Sequence, residues 1–370
     1  MALSIAPGGC AAAGTLVDVS PQALPQLRDF PAAMPLKWTW SCRALPNHGD
    51  WRVLADRRIA PQPGDVVLVQ VDSLGYHDNV TSADNQRLRL YPKDCLVAVC
   101  GNRYATDAYE AEVDTVDNLQ LLTGAGMVGA VKSAHRGMKR PSSVSFLGYL
   151  CDEQGRRVNL KDMHRPYAPV DRQLTNIVLM IGTSMNSGKT TTAAKLTKAM
   201  IGQGLRVAAC KVTGSVSHRD LYELRSTGVH DVRDFSDYGF PSTYLCPEDE
   251  LLELFDAILT DAARVQPDVV VMEVADGMLQ RETQFFLGCP AVQSRVRGVV
   301  LTASCAASAL FGVAHLQSLG RHVAAVSGRF TSSPLFVREF SQRCNVPVGS
   351  STDDGAELAR LVIERCRIAC

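Results

Sequence analysis

The sequence predicts an α/β protein with two parts: a carboxy-terminal domain whose mostly parallel sheet is flanked by helices, and a smaller β-rich amino-terminal domain. Three observations lead there. From about residue 175, apolar β-branched runs alternate with stretches of helical period, as a helix-covered parallel sheet requires. Between Gly64 and residue 150, short runs rich in Val, Leu and Tyr are punctuated by turn residues, the pattern of a small barrel or curled sheet. At 370 residues the chain also exceeds the usual size of one domain.

Taken in order, residues 1–60 are rich in Pro and Ala and show no clean period, so they read as an irregular leader, although Trp38, Trp40 and Trp51 need a hydrophobic seat. Residues 61–170 are expected to form a barrel-like accessory domain. DVVLVQVDSLGY, QRLRLYP, CLVAVCG and SVSFLGYL are its strand candidates, LLTGAGMVGAVKSAHRGM is expected as a helix with its approach, and HRPYAPVDRQ reads as the linker. Residues 171–370 carry the strand candidates NIVLMIG, LRVAACKV, DVVVMEVA, GVVLTAS, HVAAVSG and VPVGSS, most of them followed by ten or more residues of helical period. In such sheets ligands bind beyond the carboxyl ends of the strands, which directs attention to the residues just after each apolar run.

Bulk composition narrows the function classes. Hydrophobic residues make up 46% and charged residues 21%, enough for a packed core. Lys plus Arg number 38 and Asp plus Glu number 38, so no global field favours nucleic acid or an anionic membrane surface, and any anion site must be built locally. No stretch approaches the roughly 20 apolar residues of a membrane span, and the first residues lack a basic segment ahead of an apolar core. A cytoplasmic protein with a small-molecule substrate is expected, with no nucleic-acid or membrane partner and with self-association into a homo-oligomer open. The 12 cysteines are scattered without zinc or redox spacing and read mainly as buried thiols or idle surface ones.

The densest signal follows NIVLMIG. Gly182-Thr183-Ser184-Met185-Asn186-Ser187-Gly188-Lys189-Thr190 connects that strand to a helix-forming run beginning at Thr191. Backbone N–H groups in such a loop, with the positive end of the helix, hold phosphate oxygens; Lys189 reaches the β and γ phosphates and the Thr190 hydroxyl serves Mg²⁺. The nucleotide contacts are expected from Gly182, Thr183, Asn186, Ser187, Gly188, Lys189, Thr190 and Thr191. Five residues separate Gly182 from Gly188, one more than the standard P-loop pattern.

That longer interval resembles dethiobiotin synthetases and the related cobyric acid synthases. In the synthetases the next strand ends in a Lys before a small Gly/Ser turn, and here Lys211 precedes Gly214 and Ser215. The resemblance implies that Lys211 contacts the substrate carbamate and the transferring phosphate; read from the residues alone, a strand-end Lys reaching solvent is the alternative. By the same resemblance Glu273, ending DVVVMEV, is the metal carboxylate, and Asp220 is the nearest candidate for a second one, with a helix cap as its other reading and Asp234 as a weaker candidate. Asp276, His218 and Arg219 are candidate substrate contacts. Partition ATPases of this branch carry an additional early lysine, where this chain has Thr183, Ser184 and Met185, which disfavours a dimer-sandwich motor. The synthetases read their base with a strand ending in Asn; here HVAAVSGRF ends with Ser327, Gly328 and Arg329, leaving the purine undetermined.

A second likeness, carried by KVTGS and the Asp-Val-x-Asp-Phe of HDVRDF, is to a P-loop family that includes D-glutamate N-acetyltransferases. It extends over about residues 175 to 350, and it implies a loop that serves an acyl-CoA. Three functions follow. The first is an ATP- and Mg²⁺-dependent enzyme that phosphorylates or activates a carboxylate, carbamate or hydroxyl, of kinase or ligase type, with Lys189 and Lys211 gathering charge. The second is an acyl-CoA-dependent N-acyltransferase on an amino acid. The third is a nucleotide-sensing switch protein. Retention of Lys189, Thr190 and Lys211 favours the first. In the barrel, His77 and the Gly101-Asn102-Arg103-Tyr104 turn are polar, but nothing in the sequence sets their direction.

Overall fold

The computed structural model describes residues 27–30, 35–46, 50–163 and 174–369. The expected linker, residues 164–173, lies outside them. In the amino-terminal part the strands are β1 (Leu27–Asp29), β2 (Leu36–Trp38), β3 (Arg52–Leu54), β4 (Val66–Ser73), β5 (Asn79–Thr81), β6 (Arg87–Arg89), β7 (Cys95–Cys100), β8 (Tyr109–Glu112), β9 (Leu119–Leu121), β10 (Met127–Ala134) and β11 (Ser142–Cys151). Nine of them form one sheet along the order β1-β3-β11-β4-β7-β10-β8, with β2 on β7 and β9 bridging β10 and β11; β5 and β6 pair separately.

Two features depart from the sequence reading. Within residues 1–60, β1, β2 and β3 are strands of this sheet, and Trp40 is buried in the core. Periodicity misses them because each is only three residues long and takes its order from its partner strand. The segment expected as a helix instead holds the last residue of β9, the Gly124–Gly126 turn and β10. Its glycines disfavour a helix, and cross-strand pairing of Val128 with Leu121 and Val131 with Ala111 supplies what local propensity leaves undecided.

Strands β4 and β7 are apolar on both faces, and the pleat explains why. Val67, Val69, Leu96 and Ala98 point into the core of the amino-terminal sheet, while Val66, Leu68, Val97 and Val99 point the other way, into a cluster that also holds Val212, Leu221, Phe235 and Tyr238 of the second domain. The two domains therefore share a hydrophobic core. Arg43 with Asp237 at 2.7 Å, and the Tyr244 hydroxyl donating to Glu110 at 2.9 Å, fasten the rim of this contact.

The carboxy-terminal sheet comprises β12 (Ile177–Gly182), β13 (Val207–Lys211), β14 (Asp231–Asp234), β15 (Val269–Val274), β16 (Val296–Thr302) and β17 (Val323–Ser327), all parallel in the order β14-β13-β15-β12-β16-β17. The helices are α1 (Lys189–Gly202), α2 (His218–Arg225), α3 (Glu248–Ala262), α4 (Arg281–Gly288), α5 (Pro290–Gln293), α6 (Ala306–Ser318), α7 (Pro334–Ser341) and α8 (Ala356–Cys366). Helices α1 and α8 cover one face through Leu196, Met200, Leu358 and Val362; α3, α4 and α6 cover the other through Phe255, Ile258, Phe286 and Leu316. Cover on both faces is why β12 reads as an unbroken apolar run.

The sixth strand is not the expected one. VPVGSS makes a single parallel bridge, Val348 to Val326, because Pro347 has no N–H to donate to a ladder. Its place in the count is taken by β14, whose DVRD sequence hides an edge strand behind charges.

Candidate functional site

Strand β12 lies between β15 and β16, so the loop leaving its carboxyl end is walled on both sides by the ends of neighbouring strands. The loop returns at Lys189 to begin α1. Gly182 is required there: a Cβ would lie 2.4 Å from the Ser187 hydroxyl and 2.7 Å from the Lys189 ammonium. Gly188 caps the helix at φ 100° and offers no side chain to its free N–H groups, leaving that end of the helix for an outside acceptor. Met278 N–H donates to the Gly182 carbonyl at 2.7 Å and Thr183 N–H to the Thr302 carbonyl at 2.9 Å, while the Ser187 and Thr302 hydroxyls bond at 2.8 Å. Arg329 N–H donates to the Ser187 carbonyl at 3.0 Å, which fastens the loop after β17 to the same turn.

Lys189 is buried, and its ammonium donates to the Ser184 carbonyl at 3.0 Å and to the Asp276 carbonyl. These are neutral acceptors, so its charge is not spent on a bonded carboxylate. Burial pushes its pKa down against the pull of Glu273 and Asp276. The Thr190 hydroxyl donates to Glu273 Oε1 at 3.2 Å. Glu273 is 2% exposed and its other oxygen, Oε2, has no hydrogen-bond partner.

Lys211 ends β13 beside Glu273, as the pairing of β13 with β15 dictates. It is 7% exposed, is bound to Asp220 and lies 3.5 Å from Glu273 Oε1. The solvent-reaching reading of Lys211 is thereby removed. Burial works against its charge, but the two carboxylates outweigh it and hold its pKa above the usual lysine value, so it acts as a cation and not as a base. Asp220 sits in the first turn of α2, yet its carboxylate is turned to Lys211, and nothing caps the helix from Ser217. Asp234 instead accepts from Ser236 N–H in a capping box outside the cleft.

Of the weaker candidates, the His218 ring faces Thr81 across the domain contact, Nδ1 to hydroxyl 3.1 Å, and lies edge-on to Trp40. Burial, then the neighbouring Arg219, lowers its pKa. Asp276 follows Glu273 on the rim of the loop. Burial raises its carboxyl to about 6, against the lowering effect of Lys189, Lys211 and Arg103. Asp276 is therefore mostly protonated below about pH 6, and the cleft gains a negative charge above it. Because the folded pKa exceeds the ordinary one, the associated stability is complete in acid and is lost as pH rises through about 6. The expected result is that Asp276→Asn gains melting temperature relative to wild type between pH 4 and pH 7; a difference independent of pH would refute this.

Lys189, Thr190, Thr191, Lys211, His218, Arg219, Asp220, Glu273 and Asp276 line one cleft of about 1030 Å³ between the two domains, and Gly182 and Ser187 are not among its lining residues. Thr183 Oγ1 is instead a buried hydroxyl without a hydrogen-bond partner, and Asn186, at φ 55°, turns its side chain to Asp107 of the amino-terminal domain. The opposite wall is what the sequence reading could not orient. His77, Asn79, Thr81, Arg87, Arg103 and Tyr104 line the same cleft from the amino-terminal domain. The available signal was a polar turn directly after β7, a strand apolar on both faces. A second cavity of about 610 Å³, near Asn102, Arg157 and Tyr244, contains none of the expected site residues.

The order of parallel strands and the glycine-bounded loop running into a lysine-led helix decide the fold. The carboxy-terminal domain is a P-loop domain. No family model matches the chain, and no curated protein matches it. Among solved structures, part of the chain is similar to the signal recognition particle receptor FtsY from Elizabethkingia anophelis, at 19% identity and a TM-score of 0.34, over 52% of this chain and 67% of that one. It is also similar to the 54 kDa signal recognition particle protein from Aeropyrum pernix K1 in complex with GDP, at 18% identity and a TM-score of 0.36, over 54% of this chain. The chain spans 50% of the length of that protein. At such TM-scores the likeness carries no functional argument. No helix among the described residues is long and apolar enough to cross a membrane.

Proposed function

We propose that this protein is a nucleotide-dependent enzyme acting on a small metabolite: Mg·ATP occupies the phosphate loop, and a carboxylate, carbamate or hydroxyl of the acceptor takes the γ-phosphoryl group. The observation that carries the reading is the meeting of Lys189, the Thr190–Glu273 pair and Lys211 in one cleft. A volume of about 1030 Å³ is at the upper end of the roughly 300–1,000 Å³ of ligand pockets and accommodates a nucleotide together with a small acceptor.

The residues present fit a magnesium ion. Glu273 has a buried carboxylate oxygen without a partner, and the Thr190 hydroxyl lies 3.2 Å from the other oxygen of the same group, so two oxygen donors of the kind magnesium takes stand together. Among the described residues no three His, Cys, Asp or Glu side chains form a metal cluster on their own, so phosphate oxygens and water would supply the remaining ligands. Thr190 and Glu273 would hold the ion, with Asp220 assigned to Lys211. When bound, the ion would neutralise charge on the β and γ phosphates.

In the proposed transfer the acceptor oxygen forms a bond to the γ-phosphorus as the bond to the β–γ bridging oxygen breaks, ADP departs with that electron pair, and a hydroxyl acceptor gives up its proton to solvent. Lys189 stabilises the departing charge, while Lys211, held cationic by its carboxylates, orients the acceptor and the transferring group. Capture of the acyl phosphate by an amine would make the reaction a ligation.

A thermal-shift panel of ATP, GTP and acetyl-CoA, each with and without Mg²⁺, tests the reading. A ligand present at 100 times its Kd stabilises the folded state by about 2.7 kcal/mol, a clear shift. ATP is expected to raise the melting temperature only with Mg²⁺, and Glu273→Gln to lose the Mg²⁺-dependent part. Stabilisation by acetyl-CoA alone would replace phosphoryl transfer with acyl transfer, and a shift with GTP but not ATP would change the purine.

A further inference from the structure

Arg103 stands on the wall of the cleft opposite the phosphate loop. Its backbone is fixed: it exchanges both hydrogen bonds with Ala111, at 2.8 and 2.9 Å, while Gly101 N–H donates to Val128 and the neighbouring Asn102 side chain accepts from Val113 N–H at 2.8 Å. The guanidinium lies 5.9 Å from the centre of the buried Tyr109 ring, within cation–π range. Yet its Nε and Nη1 are buried and have no hydrogen-bond partner. A buried donor left unmade costs about 1–3 kcal/mol, more when charged. A rigidly presented cation with two buried, unpartnered donors is therefore costly by itself and suits a protein that takes an anion.

Asp276 indicates which anion. Its main-chain carbonyl accepts from the Lys189 ammonium, and its carboxyl feels the charges of Lys189, Lys211 and Arg103 together. Arg103 and Lys189 line the same cleft, and the Lys189 ammonium marks the end of the loop where the last phosphate of a loop-bound nucleotide ends.

We propose that Arg103 is the second cation of the terminal-phosphate site: its guanidinium takes oxygens of the last phosphoryl group from the side opposite Lys189, so that the amino-terminal domain completes the site. This inference rests on the nucleotide reading given above. The planar fork of arginine suits a phosphoryl group better than a lysine would.

The test is calorimetric titration of the full chain with Mg²⁺ and either ADP or an ATP analogue whose β–γ bridge is an imido group. Arg103→Gln is expected to weaken the analogue by roughly 10- to 100-fold, as loss of a charge-assisted contact does, and to change ADP by no more than about twofold. Arg103→Lys keeps the charge without the fork and should fall between. Melting of the ligand-free Arg103→Gln protein should not drop, since a cation with unmade hydrogen bonds is removed; a residue with only a structural role would lower it. Equal weakening of both nucleotides, or of neither, in a wild type that binds both overturns the Arg103 assignment alone. A wild type that binds neither nucleotide overturns the nucleotide reading and this inference with it.

Discussion

Lys189→Ala will abolish measurable binding of Mg·ATP, with affinity falling more than about 100-fold if its ammonium makes two charge-assisted contacts of about 1.5–3 kcal/mol each to phosphate oxygens. The geometry explains why the loss should be so complete. Among the described residues the ammonium is bonded to the carbonyls of Ser184 and Asp276, and burial already disfavours its charge. A phosphate offers that charge a far stronger partner than either carbonyl. Folding should suffer much less, by about 1–3 kcal/mol for two carbonyls left without a donor. Calorimetry on a variant that still melts cooperatively separates the two effects, and near-wild-type affinity would remove Lys189 from the site.

Lys211→Ala should behave differently. From the sequence alone it spares nucleotide binding and lowers turnover; the structure adds a stability cost. Lys211 neutralises Glu273, which is almost wholly buried, and Asp220, whose side chain is 26% exposed. Removing one partner of a buried ion pair typically costs about 3–5 kcal/mol, because the remaining charges are left uncompensated. Turnover, read as Mg²⁺-dependent ADP release, is expected to fall by about 10²–10³-fold, the usual effect of deleting one preorganised donor to transition-state charge. Adding Asp220→Asn should restore only a part of the lost stability, since the buried Glu273 charge stays uncompensated, and none of the turnover. A double variant that releases ADP at the wild-type rate would show that Lys211 only holds the fold together.

The two lysines were legible in the sequence for different reasons. Lys189 follows from local chemistry, since a strand, a glycine-bounded loop and a helix in that order need no distant residue to make a phosphate cradle. Lys211 was visible only as a strand-end lysine with two readings, and the register of β13 against β15, which sets Lys211 beside Glu273, chose between them. Asp220 shows the converse. Its place in the first turn of α2 suggests a cap, yet a cation nine residues earlier in the chain takes its carboxylate.

The sequence by itself determined the parallel sheet, the position of the glycine-bounded loop after β12 and the lysine that begins the following helix, because these depend on hydrophobic period and on contacts between near neighbours. What only the tertiary structure decided is the composition of the cleft. The short strands β1, β2 and β3 take their order from partners far along the chain, β14 hides an edge strand behind charges, and the direction of His77 and Arg103 depends on a core that β4 and β7 share with the second domain. The phosphate loop is a local object, but the wall that faces it is assembled from residues about 80 to 110 positions away. No period or spacing encodes that encounter; packing does.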